Sequence, residues 1–464
     1  MSDSRKASEA APEAAPPQAA GAADMKKIYL ARLGCPKNQV DGELMLGRAM
    51  ADGHVVVDDP DQADVLVVNT CAFIAAAREE SVDTILEMAR VKAQREGRRL
   101  VVTGCMAERY GAELTGAIPE IDAMVGTGAL DRFPAALAAR GGEMFRGAGG
   151  QNHYLPSALM ERAVTETDGS AYLKVSEGCD HECSFCVIPS FRGKHESRSI
   201  DDVAAEAERL VSRGIRELNM IAQDLSAYGR DLGLKDGLAQ LLWRLGRVND
   251  LERVRCFYLY PSTLTDSALD AMRDVGNVVP YVDIPLQHAD SEVLRRMRRA
   301  KDTGQIRRVI ERVRERIPGA AIRSAFIVGF PGETDEAFRN LCDFVEESRF
   351  HNIGVFAYSP EEGSGAEGLD GEVDPEVAAD RRDELMALQE PITAELVAAQ
   401  VGSRQRVLVC GQDEDGTWYG RTGIQAPEID GVTLLDGDLA SLRGRVVDVE
   451  ITGAEGIDLF GQVV

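Results

Sequence analysis

Cys179, Cys183 and Cys186 stand within eight residues in the stretch KVSEGCDHECSFCVIPS, a CxxxCxxC spacing directly after a strand-like run. Cysteine thiolates are the usual ligands of iron–sulfur clusters. Three of them can hold three irons of a 4Fe–4S cluster and leave the fourth iron without a protein ligand. An open iron is a place where a small molecule can coordinate and receive an electron. Zinc is the competing reading. It needs a fourth ligand, for which His181 is the candidate, and structural zinc more often comes from paired CxxC elements.

A second set of thiols is dispersed. The runs KIYLARLGC, DVLVVNTC and RRLVVTGC read as strands, and each ends in a cysteine: Cys35, Cys71 and Cys105. A fourth run, IDAMVGTG, ends in glycines. Open parallel sheets bind ligands at the carboxyl ends of their strands, where the strand order reverses. Three thiols delivered to that edge converge on one place and suit a second cluster with an open iron. The alternative is three small buried hydrophobes, the usual state of a free cysteine. Cys256, Cys342 and Cys410 have no such company and read as core packing.

The elements that must position these thiols follow from length and pattern. With 464 residues, 44% hydrophobic and 28% charged, the chain can bury several cores. Residues 1–24 are Ala/Pro/Glu-rich and read as a disordered tail, not a targeting signal. Apolar runs fall short of the roughly 20 residues a membrane span needs. Nine cysteines without an export signal point to a reducing cytoplasm. The net charge of −25 disfavours a general nucleic-acid binder.

The fold class expected is α/β in three parts. Residues 25–140 alternate short apolar runs with helical stretches, the pattern of an open parallel sheet. Residues 141–168 read as a linker. From 169 to 396 six βα units suggest a partial TIM-type barrel, with its chemistry at the C-terminal ends of the strands. The triad then sits at the barrel mouth with Gln223 and Asp224, Tyr260 and Ser262, Gln287 and His288, and the turn GFPGET. Gly329, Gly332 and Glu333 of that turn could admit a ligand's polar end, or form a plain loop. His288 reads as a structural histidine more readily than as a proton donor. The basic run LRRMRRAKDTGQIRR lies on the helix expected after Gln287 and is either a solvated face or a positive patch. Residues 397–464 read as a small OB-like β-barrel. From Val401 onward it has five Arg, no Lys and eleven acidic residues, a balance that repels phosphate and attracts a basic protein surface.

Together the three parts resemble the methylthiotransferases: their N-terminal domain, a radical S-adenosylmethionine (SAM) barrel and a TRAM domain. LGCPKNQVDGELM, NTCAFIAAAREESVDTIL, TGCMAERY and GRTGIQAPEIDGVTLL are similar to the branch that modifies protein S twelve of the small ribosomal subunit. VDGE in place of the more usual VDSE, and EEGSGA where a GT pair is common, are small departures. The resemblance implies replacement of a hydrogen on the β-carbon of one aspartate by a methylthio group. It implies two 4Fe–4S clusters, on Cys179, Cys183 and Cys186 and on Cys35, Cys71 and Cys105. SAM would act twice, as radical source and as methyl donor. Phe185 would stack near the adenine, unless it packs in the core, and Gln223, Gly329 and Glu333 would be further SAM contacts. An electron donor such as flavodoxin or ferredoxin and a sulfur source would be partners. The rivals are a tRNA adenosine methylthiotransferase, which predicts a basic C-terminal barrel, and a non-catalytic iron–sulfur scaffold or ribosome-binding module.

Overall fold

The computed structural model describes residues 25–147, 154–165 and 168–464; the tail expected at 1–24 lies outside them. The N-terminal strands are β1 (Lys27–Arg32), β2 (Val55–Val56), β3 (Val65–Thr70), β4 (Arg99–Gly104), β5 (Ala123–Val125) and β6 (Glu143–Phe145). They form one parallel sheet in the order β2-β1-β3-β4-β5-β6. β3 reads VLVVNT and is buried at all six positions, as a strand covered on both faces should be. The chain leaves β1 for β2 on one side and returns at β3 on the other. The order therefore reverses between β1 and β3, which opens a ligand crevice at their carboxyl ends.

β6 departs from the sequence reading, because it lies in the expected linker and pairs with β5. More of that stretch is also tied down. Arg162 donates to Glu43 at 2.6 Å and to Glu206 at 2.9 Å. A charged pair at this depth holds only when both partners are satisfied, which fixes residues 154–165 against two domains.

The central domain has β7 (Ser170–Lys174), the short antiparallel pair β8 (Ser176–Glu177) and β9 (Glu196–Ser197), β10 (Glu217–Ile221), β11 (Arg253–Cys256), β12 (Val278–Asp283), β13 (Ala321–Val328) and β14 (Asn352–Ala357). Six of these make an open parallel half-barrel in the order β14-β13-β12-β11-β10-β7. Ser199, Thr265 and Thr334 each cap the helix that follows by accepting the N–H of Asp202, Ala268 and Ala337. Such caps fix where a helix starts and so where each loop stops. The helix expected after Gln287 is two helices, Ser291–Arg296 and Thr303–Arg316. Arg298 sits between them at φ +54°, and the Asp302 side chain caps the second. The basic run is therefore not one solvated face, because the break turns Arg299 inward.

The C-terminal strands β15 (Arg404–Gln412), β16 (Trp418–Arg421), β17 (Thr433–Leu435), β18 (Val446–Glu455) and β19 (Asp458–Val463) close into a barrel in the order β15-β16-β17-β19-β18. The concave face of the half-barrel is filled from two directions. Val40 and Leu44 of helix Pro36–Ala51 pack with Tyr172, Phe257 and Tyr281, and Ala426 of the C-terminal domain joins them. Asp430 accepts from the Tyr281 hydroxyl and the Asn352 amide, both at 2.7 Å. The APEIDG segment is thus an internal wedge between domains. Beside it, Arg421 donates to the buried Glu217 at 2.8 Å. Burial pushes the Glu217 carboxyl up, but the guanidinium groups of Arg421, Arg255 and Arg253 overcome this and hold it at about 2.

Candidate functional site

Cys35, Cys71 and Cys105 follow β1, β3 and β4, three adjacent strands of one sheet. Cys35 is the N-cap of helix Pro36–Ala51, and Cys105 opens helix Cys105–Ala117. Helix N-termini favour negative charge, so two of the three thiols sit where a thiolate or an anionic cluster is stabilised. Gly34, at φ +88°, lies beneath them: a Cβ there would stand 2.9 Å from Cys71 Cβ and 3.3 Å from its Sγ. The Arg192 Nε donates to Cys105 Sγ at 3.3 Å and one terminal nitrogen at 3.1 Å. Burial pushes the Cys105 thiol up to about 12 against the pull of Arg192, and Cys35 and Cys71 both add to the rise. Burial likewise raises Cys71, where Cys35 again contributes. The three thiols therefore lie in one another's fields.

Cys179, Cys183 and Cys186 occupy the loop after β8. Cys179 N–H donates to the Gly193 carbonyl and Cys186 N–H to the Cys183 carbonyl, both at 3.1 Å. Cys183 Sγ lies 3.6 Å from both the Tyr260 hydroxyl and an Arg299 terminal nitrogen. Arg299 stands 3.9 Å over the Tyr260 ring, which stacks on His181 at 3.5 Å. His181 Nε2 is 2.7 Å from Asp224 Oδ2. Burial raises Cys179 to about 11 and Cys186 to about 12, with Cys183 adding to each.

Arg192 joins the two sets. Besides Cys105 it donates to Asp41 at 2.8 Å and to Glu177 at 3.1 Å. Its neighbour Gly193 receives the Cys179 amide. Lys174 completes the network through Asp41 and through Glu177, the latter at 2.8 Å. Buried charges in such number hold only as a mutually paired set.

Among the described residues no three His, Cys, Asp or Glu side chains are disposed to hold a single metal ion. Of the ring nitrogens of His181, Nε2 is taken by Asp224, and the ring stacks on Tyr260. A four-iron cluster makes a different demand, since each thiol meets a separate iron and the sulfurs form an open triangle. The donor chemistry fits that: three soft ligands, cationic N–H donors on the sulfurs, and a buried Gln223 Oε1 without a hydrogen-bond partner. An orphaned buried acceptor costs about 1–3 kcal/mol, and this one lies beside the thiols, where a ligand could satisfy it.

The other expected cofactor contacts divide. Gln223 lies at the mouth and donates to Glu177. Phe185 is half-buried beside the cluster that contains Val293, Met297 and Phe330. Glu333 is buried beneath its own turn, accepting from Gly329 N–H and Arg381, both at 2.9 Å. Gly329 is at φ +74°, and a Cβ there would collide with Ala378 of helix Pro375–Ala398. That glycine serves close packing. His288 is buried; its Nδ1 accepts from Asp290 N–H at 2.9 Å, and its Nε2 lies 3.4 Å from Glu333 Oε2. Arg192, Arg299, Lys174 and Asp41 went unseen in the sequence. The one available signal was Arg192, a basic residue six positions after the last thiol of the loop.

Residues 27–126 match the uncharacterized protein family UPF0004, residues 173–345 the radical SAM superfamily and residues 401–464 the TRAM domain. The ribosomal protein uS12 methylthiotransferase RimO of Solibacter usitatus (strain Ellin6076) is 45% identical over 441 residues, 94% of each chain. The chain belongs to the uS12 methylthiotransferase family. Its counterpart from Anaeromyxobacter sp. (strain Fw109-5) is 44% identical over 94% of this chain and 93% of its own. This is the branch indicated by the residues around Cys35 and by APEIDG, not the tRNA-modifying sister branch. Among solved structures, the radical SAM methyltransferase TsrM from Kitasatospora setae superposes with a TM-score of 0.54 at 16% identity, over 79% of this chain and 89% of that one. At that identity the likeness concerns the fold.

Proposed function

We propose that this uS12 methylthiotransferase replaces one hydrogen on the β-carbon of an aspartate of uS12 with a methylthio group, and that its two thiol triads divide the work. An aliphatic C–H beside a carboxylate is too weak an acid for a side-chain base, so the hydrogen must leave as a radical, and cofactors carry such steps. When bound, a 4Fe–4S cluster on Cys179, Cys183 and Cys186 would supply the electron that cleaves SAM, and one on Cys35, Cys71 and Cys105 would carry the sulfur that a second SAM methylates.

The observation that carries this division is the placement of Arg192, with Cys105 on its guanidinium and the Cys179 amide on its neighbour Gly193. It ties the two triads into one site. Arg299 and the Tyr260 hydroxyl orient Cys183, while Gln223 presents an unpaired Oε1 to an incoming ligand. The closed C-terminal barrel offers exposed acidic side chains, among them Asp413, Glu414 and Asp438, to a basic ribosomal protein. A flavodoxin or ferredoxin as electron donor, a separate sulfur source and a cytoplasmic location complete the reading.

The test is anaerobic reconstitution with SAM, dithionite and uS12, followed by peptide mass spectrometry. A methylthio increment on one aspartate is expected. A modified tRNA nucleoside in its place would favour the sister activity, and absence of 5′-deoxyadenosine would leave a scaffold.

A further inference from the structure

Lys37, two residues after Cys35, is only 7% exposed. Among the described residues its ammonium has no hydrogen-bond or ion-pair partner; it stands 3.0 Å over the Tyr258 ring. The negative charges that reach it are those of Cys35, Glu177 and Asp283, in that order, and the two carboxylates are engaged elsewhere. Glu177 accepts from Lys174, Arg192 and Gln223. Asp283 accepts from Arg323 at 3.0 Å and from Tyr258 N–H at 2.9 Å. Tyr258 follows β11 with φ +59°, a conformation costly for a residue with a Cβ and kept where the surroundings demand it. The ring is therefore held in place as the seat of the ammonium.

A buried cation that no group hydrogen-bonds or ion-pairs is expensive, so this position suits an anion that arrives from outside. Arg192 donates to Cys105 of the first triad, whereas the Lys37 ammonium leans on a residue of the half-barrel. It reaches from the first turn of the helix that Cys35 caps to a residue just past the carboxyl end of β11, at the barrel mouth. The β-carbon of an aspartate is bonded directly to its carboxylate carbon.

We propose that the Lys37 ammonium receives the side-chain carboxylate of the substrate aspartate and thereby selects the residue that is modified. The inference rests on the uS12 reading above. It makes Lys37 a substrate-binding residue, with the Tyr258 ring as its support.

The test is equilibrium binding, under anaerobic conditions, of reconstituted full-length enzyme to uS12 carrying either the target aspartate or asparagine in its place. A buried hydrogen bond to a charged group predicts that the wild type prefers aspartate by roughly tenfold to a hundredfold. Lys37→Met should erase the preference by weakening the aspartate form alone, and Lys37→Arg should keep part of it. The proposal is overturned if Lys37→Met retains the preference or weakens both forms equally. It is also overturned if Lys37→Met loses bound iron, because the charge would then serve the thiols. A wild-type enzyme that does not modify uS12 in the mass assay would instead remove the functional reading itself.

Discussion

The upstream triad takes its thiols from three strands and relies on the whole sheet, on two helix N-termini and on Arg192 from another domain to bring them together. The downstream triad occupies one loop, where its own backbone hydrogen bonds and the Arg299–Tyr260 pair hold it. The ligands of one arrangement are contiguous in the chain, and those of the other are gathered by tertiary structure. A site assembled by local backbone tolerates damage elsewhere in the fold, whereas one assembled across domains loses its geometry when a distant charge is removed. The upstream set should therefore be the more fragile of the two, although both are built from the same ligand type.

The largest expected effect breaks the local site directly. Cys183→Ala should abolish 5′-deoxyadenosine formation, measured by chromatography after incubation with SAM and dithionite, while upstream iron remains. Arg192→Met probes the tertiary site. It leaves Asp41 and Glu177 buried with Lys174 as their remaining strong partner, a loss of about 3–5 kcal/mol that denaturant unfolding should register. If both triads hold four-iron clusters as proposed, bound iron should fall from about eight toward about four per chain, the upstream site failing first. Equal loss from both sites would contradict the local-versus-tertiary distinction.

The smallest effect concerns the wedge that seats the C-terminal barrel. Glu217 has a folded pKa of about 2, below its ordinary value of 4.5. A depressed carboxyl contributes stability in full above the unfolded pKa and loses it as the pH falls toward the folded one. The stability gap between wild type and Glu217→Gln should thus be widest near neutrality and shrink between pH 4.5 and 2, as followed by acid titration of the melting temperature. A gap that stays constant over this range would remove Glu217 from the account.

Much of this was legible in the residues. Contiguous cysteines announce themselves, and strand-end cysteines are exposed by the apolar runs that precede them, because a strand's direction fixes which edge its last residue reaches. The six parallel strands of the half-barrel and the five of the C-terminal barrel follow from periodicity and turn residues. What escaped depends on pairings between distant positions. Asp41, Lys174 and Arg192 look like ordinary charges until the fold buries them together. A glycine turn such as that of Gly329 and Glu333 has one appearance in sequence whether it admits a cofactor or a neighbouring helix. The break at Arg298 was hidden by residues that favour helix on both sides.

The division of labour between the triads is tested most directly by Cys71→Ala, reconstituted anaerobically and given SAM, dithionite and uS12, with 5′-deoxyadenosine and modified uS12 measured in the same reaction. The account predicts that deoxyadenosine persists and methylthiolated uS12 disappears. Methylthiolated uS12 at the wild-type level would contradict the assignment of Cys35, Cys71 and Cys105 as the sulfur-carrying site.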